Sequence, residues 1–247
     1  MSRPGVVVTG SAQGIGRGIA ERLARDGRRV WCLDVDEAKL MAVVAALRRD
    51  GGDVEPLPCD LGDVGAIHGV WDKIRTRDGS VAGLVNDAGI FSRVPALEVS
   101  AEDWDRVMAV NLRGAFFMAQ QAARLMVASH TGGIVLSIAS GQAFRPSSVG
   151  VSYAASKAAL VNLTRALATE WGPLGIRVNT VVPGLTDTAQ PRAAKGDADF
   201  VEAAAATPLR RLGTPADVAA LVSFLLSDEA AYVTGQAFAV NGGRVMI

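Results

Sequence analysis

The sequence predicts an α/β fold: one parallel sheet covered by helices on both faces. Three observations carry this. Seven short runs rich in β-branched residues alternate with longer helix-like segments, the pattern of repeated strand–helix–strand units. The first run ends in a glycine-rich turn that leads directly into a helical pattern. No linker or charge block divides the 247 residues, so residues 1–247 read as a single domain.

The elements follow in order. Residues 5–9, with Val6, Val7 and Val8, form a buried strand, and residues 14–26 a helix. Residues 29–34 and 37–50 repeat the pair, as do 53–59 and 64–76. Residues 81–86 make a fourth strand. Residues 101–127 read as one long helix, with Ser100 as N-cap and Asp103 three residues on. A fifth strand spans 133–137, a helix 152–171, and a sixth strand 176–182. A helix over 215–226 has Pro215 in its first turn, and a last strand covers 236–240. No repeat of solenoid period is present.

The totals narrow the function. Formal net charge is zero and no basic run occurs, which points away from nucleic acid. The N-terminus lacks an apolar stretch of signal-peptide length, and no apolar run reaches membrane-spanning length; a soluble cytoplasmic protein is expected. Cys32 and Cys59 lie in apolar strand-like stretches and read as buried free thiols. With two histidines, His68 and His130, and no clustered ligands, no metal site is expected.

The first turn reads Thr9-Gly10-Ser11-Ala12-Gln13-Gly14-Ile15-Gly16. Glycines between a strand and a helix let the backbone approach a pyrophosphate, which then sits at the helix N-terminus. The spacing is G-x-x-x-G-x-G, a variant of the usual dinucleotide fingerprint. Asp34 closes the second strand, twenty residues past Gly14. A carboxylate there bonds a ribose 2′-hydroxyl and repels a 2′-phosphate, and no arginine or lysine stands at Gln13 or Val35. The expected cofactor is therefore NAD. Asp60 after the third strand reads equally as a helix N-cap or an adenine-edge contact. The turn Asn86-Asp87-Ala88-Gly89 ends the fourth strand, at the carboxyl edge where ligands gather in open α/β sheets.

The second chemical centre is Tyr153-Ala154-Ala155-Ser156-Lys157. Tyr and Lys four apart share a helix face. A free phenol titrates near pH 10, too high for proton transfer at neutral pH; a nearby ammonium favours the phenolate and lowers that value. The pair reads as a tuned general acid/base.

With these motifs in one order, the chain resembles the short-chain dehydrogenase/reductase family, in its compact branch of about this length. The resemblance runs through Thr9-Gly10, Gly14-Ile15-Gly16, Asp60-Leu61, Asn86-Asp87-Ala88-Gly89, Asn111, Ser140, Tyr153, Lys157, Pro183-Gly184 and Asn241-Gly242-Gly243. It implies a single-domain Rossmann fold with a doubly wound, seven-stranded parallel sheet. It implies a catalytic tetrad: Tyr153 as proton donor/acceptor, Lys157 holding the nicotinamide ribose, Ser140 bonding the substrate oxygen, and Asn111 anchoring a water-filled proton path through its backbone. It implies that NAD contacts Gly10, Gln13, Gly14, Ile15 and Gly16, then Asp34, Val35, Asp60 and Leu61. Asn86, Ala88 and Gly89 follow, with Tyr153, Lys157, Pro183, Gly184, Thr186 and Thr188 on the nicotinamide side. One departure stands out: Asp87 occupies a place where the family more usually has asparagine.

The activity so implied is reversible hydride transfer between NAD and a secondary alcohol or ketone. Ser140, Gln142 and Tyr153 are expected to meet the substrate, and a sugar, polyol or small cyclic alcohol is favoured. Phe91-Ser92-Arg93-Val94 and Gly141-Gln142-Ala143-Phe144-Arg145 with Ser147-Ser148 should line the pocket, under a mobile lid of about 185–208. The rival enzyme is an NADPH-dependent 3-oxoacyl-thioester (acyl carrier protein) reductase, against which Asp34 argues. A dinucleotide-sensing protein without catalysis is a third reading, disfavoured by the intact tetrad. Ala155, Ala158, Ala159, Leu163 and Ala166 on one helix, and Phe116, Phe117, Ala119 and Ala122 on another, suggest a dimer built on the Asn111 and Tyr153 helices. The resemblance extends this to a homotetramer involving the last strand and the C-terminal tail.

Overall fold

The computed structural model describes residues 4–192 and 196–246. Seven strands form one parallel sheet in the order β3-β2-β1-β4-β5-β6-β7. They are β1 Gly5–Thr9, β2 Val30–Asp34, β3 Val54–Pro58, β4 Val81–Asn86, β5 Gly133–Ile138, β6 Ile176–Pro183 and β7 Ala237–Val240. The chain winds outward from β1 to β3, returns beside β1 as β4, and winds outward the other way. The order therefore reverses between β1 and β4, the topological switch point at whose carboxyl edge open α/β sheets bind ligands.

Strand alternation divides the interior in two. Val6 and Val8 of β1 face one core with Val30, Cys32 and Val54, under α1 (Gly14–Arg25), α2 (Glu37–Arg49) and α9 (Pro215–Leu225). Val7 faces the other with Leu33, Leu57 and Leu84, under α3 (Val64–Asp78), α5 (Ala115–Ala128) and α6 (Val151–Trp171). Every residue of β1 is buried, and each such aliphatic side chain contributes roughly 1.5–3 kcal/mol by leaving water. The two cysteines are buried and free, and burial pushes their thiols up to about 12 for Cys32 and about 11 for Cys59.

Most predicted elements appear within two residues of their expected ends. The largest difference lies in residues 101–127. In place of one continuous helix, α4 (Ala101–Met108) passes through a π-helical stretch, Ala109–Gly114, into α5. Helical periodicity cannot signal one extra residue in a turn; what fixes it is tertiary, namely Asn111 reaching a neighbouring loop and Gly114 lying against the Leu61 carbonyl, 2.5 Å from where a Cβ would be. Ser100 caps α4 as expected, accepting the Asp103 N–H at 3.1 Å. Asp60 is not a helix cap: Asp63 caps α3 through the Gly65 N–H at 2.7 Å, and Asp60 closes a separate turn before it on the Gly62 N–H at 2.8 Å. The lid region contains two helices that the sequence pattern did not show, α7 (Ala189–Arg192) and α8 (Asp197–Ala205); residues 193–195 of the expected lid lie outside the described residues.

Candidate active site

The nucleotide end is made by backbone. Gly10 and Gly14 have φ of 69° and 59°, a left-handed conformation that costs other residues dearly. A Cβ on Gly16 would collide with the Gly10 carbonyl. The N-cap of α1, Gln13, makes no side-chain cap, and the first turn carries no acidic residue, so apart from that of Gly16, which faces Asp87, its orphan N–H groups remain available to an anion. Asp34 is fixed beside this turn: its two carboxylate oxygens accept the Ala12 and Asp36 N–H groups, each at 3.0 Å. Lys39, which feels the Asp34 charge, is committed to Asp36 at 2.7 Å. Val35 is exposed beside Asp34, Ile15 is partly buried, and Leu61 is buried.

Thr9 ties the glycine turn to the end of β4. Its Oγ1 accepts the N–H groups of Asp87 and Ala88, both at 3.0 Å. Asn86 is buried and donates to the Ala115 carbonyl at 2.9 Å. Gly89 lies close to two of the tetrad candidates: a Cβ there would be 3.3 Å from Asn111 Oδ1 and 3.4 Å from Lys157 Nζ. On the far side, the chain leaving β6 folds back toward the same turn. Gly184 donates to the Val240 carbonyl at 2.9 Å, closing the loop after Pro183, and Thr188 comes to 3.7 Å of a Cβ built on Gly14. The buried Thr186 hydroxyl bonds its own loop at the Gly184 carbonyl, 3.2 Å, while its backbone lies against Gly213.

The four tetrad candidates converge at this edge. Lys157, only 3% exposed, donates from Nζ to the Ile138 carbonyl at the end of β5, 2.7 Å away. Its Nζ stands 5.6 Å from the Tyr153 ring centre. Ser140 stands beside the Tyr153 phenol and accepts the Gln142 N–H at 3.2 Å, which leaves its own hydroxyl proton free to donate. Phe91 meets the Tyr153 ring edge-on at 4.8 Å. Asn111 works through its side chain: it pairs with both backbone groups of Ile90, at 2.8 and 3.0 Å, and donates to Ser156 Oγ at 3.1 Å. Ser156 in turn donates to the Tyr153 carbonyl at 2.8 Å. Ser156 and Ile138 were not singled out from sequence. Ser156 had a signal, since i+3 from Tyr153 places it on nearly the same helix face; a carbonyl such as that of Ile138 has none.

One electrostatic expectation is corrected. Burial holds the Tyr153 phenol above its ordinary value, the Ser140 hydroxyl pulls it back, and Asp87 raises it further. Lys157 is not what sets it. Burial pushes the ammonium of Lys157 down to about 8, against the opposing charge of Asp87. Gln142 accepts a hydrogen bond from Ser147 at 3.2 Å at the mouth of the site.

Elsewhere, Ala119 and Ala122, expected at a subunit face, pack into the core instead. A groove of about 540 Å³ lined by Met108, Ala109, Leu112, Phe116 and Leu163 does open on that side. Among the described residues no cluster suited to a metal ion occurs, and no helix is long and apolar enough to cross a membrane.

Residues 10–244 match a family model described as enoyl-(acyl carrier protein) reductase. The chain is 37% identical to 2-(S)-hydroxypropyl-CoM dehydrogenase 3 of Xanthobacter autotrophicus, covering 98% of this chain and 96% of the relative. It is 35% identical to D-threitol dehydrogenase of Mycolicibacterium smegmatis, covering 96% and 91%. A solved structure of a glucose/ribitol dehydrogenase from Brucella melitensis superposes with a TM-score of 0.91 at 32% identity, covering all of both chains.

Proposed function

The chain belongs to the short-chain dehydrogenase/reductase family, and on that premise we propose that it is an NAD-dependent oxidoreductase interconverting a secondary alcohol, preferably a polyol or sugar, and its ketone. One observation carries the reading: Tyr153, Lys157 and Ser140 meet at the sheet edge that also holds the glycine turn and Asp34.

The residues fit a dinucleotide. The uncapped α1 N-terminus and the glycines at 10, 14 and 16 accommodate phosphates, and the anchored Asp34 carboxylate has lone pairs left for ribose hydroxyls while repelling a 2′-phosphate. Ile15, Asn86, Ala88, Gly89, Pro183, Gly184 and Thr188 would close around the rest. Bound there, the nicotinamide supplies the hydride acceptor or donor. The protein handles the proton. In the reducing direction the Tyr153 phenol gives its proton to the substrate oxygen, and in the oxidising direction its phenolate form takes that hydroxyl proton back. Ser140 Oγ donates to the same oxygen and stabilises the charge that develops on it. Lys157, fixed by Ile138, adds a positive charge below the ring and a donor toward the ribose. Asn111 and Ser156 hold the Tyr153 helix against the Ile90 loop, so the phenol keeps its place. Gln142 meets the remaining hydroxyls of the substrate.

The polyol preference draws support from relatives named for threitol and for glucose/ribitol. The family model's description names an enoyl-(acyl carrier protein) reductase instead. A relative from Thermotoga maritima, 34% identical, is named 3-oxoacyl-(acyl-carrier-protein) reductase, and that name favours the second reading, an NADPH-dependent 3-oxoacyl-thioester reductase. Initial rates with NAD and NADP across a panel of alcohols, and in reverse across ketones and 3-oxoacyl thioesters, separate the two. Turnover of polyols with NAD supports the first; turnover only of thioesters with NADPH overturns it. The proposed assembly is a homotetramer whose dimer pairs the Phe116–Leu163 groove with its copy.

A further inference from the structure

Asp87 sits between the two halves of the site. Its Oδ2 lies 3.2 Å from a Cβ built on Gly10 and 2.7 Å from one built on Gly16, so the carboxylate is wedged beneath the glycine turn. It lies against the Gly16 backbone, whose N–H tempers its charge and belongs to the orphan donors in the first turn of α1 that would otherwise serve a phosphate. Its backbone is pinned by Thr9. The charged and titratable groups acting on it or answering to it are few. Lys157 faces it from α6, Asp34 from β2, and the Tyr153 phenol feels its charge from α6. From α1 it meets backbone only, since Arg17 is exposed and paired with Glu21 at 2.7 Å. Lys157 is the one cation acting on it among the described residues, and that ammonium is already bonded to Ile138.

A lone carboxylate under an anion-binding turn opposes the ligand whenever it is charged. An asparagine would face the same Gly16 N–H without that penalty. Resting on the dinucleotide reading above, we propose that Asp87 is a proton-linked positioning residue. Wherever it is ionised in the free protein it takes up one proton from solvent as phosphates settle on the turn, and so couples cofactor affinity to pH.

Burial lifts the Asp87 carboxyl to about 7; Lys157 and the Gly16 N–H oppose the rise and Asp34 adds to it. The sign follows. Below pH 7 the group is neutral and the dinucleotide binds best; above it, affinity falls as the carboxylate charges. If binding requires the neutral form, affinity drops about tenfold between pH 6 and pH 8, the change expected for one group titrating at the midpoint of that window.

Lys157 also titrates near this range, so the test removes it. NADH dissociation constants are measured from pH 6 to 9 in Lys157→Met and in Lys157→Met/Asp87→Asn. The single variant should keep a fall of about tenfold per pH unit above its midpoint, moved to higher pH because Asp87 has lost the cation favouring its charge. The double variant should bind with flat affinity, matching the single variant's low-pH value. Parallel profiles in the two would overturn the inference and leave the dinucleotide reading standing. Failure of wild-type protein to bind NADH or NADPH at any pH would overturn both.

Discussion

The nucleotide half and the substrate half of this site are built by different means. From β1 to β4, function is a matter of backbone: two left-handed glycines, a glycine whose Cβ would strike a carbonyl, and an aspartate held by two peptide N–H groups. From β5 onward it rests on side chains, and at the lid on short helices with exposed faces; Val201 of α8 is 70% exposed. Few residue types satisfy the first kind of constraint, whereas many satisfy the second. The first half therefore specifies a ligand class, and the second leaves the substrate open.

Substitutions sharpen this contrast. Tyr153→Phe should lower kcat by about 10³-fold or more while leaving the NADH dissociation constant unchanged, since the lost hydroxyl moves a proton and holds no phosphate. Retained turnover would break the assignment. Ser140→Ala removes one donor to the substrate oxygen and should cost about 10²-fold in kcat. Asp34→Ser removes the charge opposing a 2′-phosphate, and NADPH affinity should rise about tenfold, the equivalent of roughly 1.4 kcal/mol. An unchanged ratio of NADH to NADPH affinity would show that Asp34 does not choose the cofactor. The smallest effects compare the halves directly. Gly16→Ala should cost about 1–3 kcal/mol of stability through its clash with the Gly10 carbonyl, whereas Val201→Ser on the lid should stay within about 0.5 kcal/mol. Equal melting shifts for the two would erase the distinction.

The same division explains what the sequence disclosed. The buried strands and the glycine turn were legible because each follows from local chemistry: the continuous run Val6-Val7-Val8 suits a strand covered on both faces, and Gly10 and Gly14 take positive φ. The tetrad spacing was legible for the same reason, because residues four apart on a helix must share a face. The π-helical stretch at Ala109–Gly114 was not legible, since the extra residue answers to Ile90 and Leu61, distant in sequence. The Asp60 cap failed because Asp63, three residues on, has equal chemistry and stands nearer to the helix start. The expected depression of the Tyr153 pKa failed because burial and the charge of Asp87 outweigh the Ser140 hydrogen bond, and burial depends on the packed fold rather than on the four-residue spacing.

The account stands on hydride transfer at the edge where Tyr153 and the glycine turn meet. Threitol deuterated at its secondary carbons, incubated with the protein and NAD, tests that step most directly, with deuterated ribitol and sorbitol as companions. Mass spectrometry of the nicotinamide should find one deuterium in each reduced molecule and a ketone in equal amount. Reduced nicotinamide without deuterium, or none formed from any of the three, would contradict it.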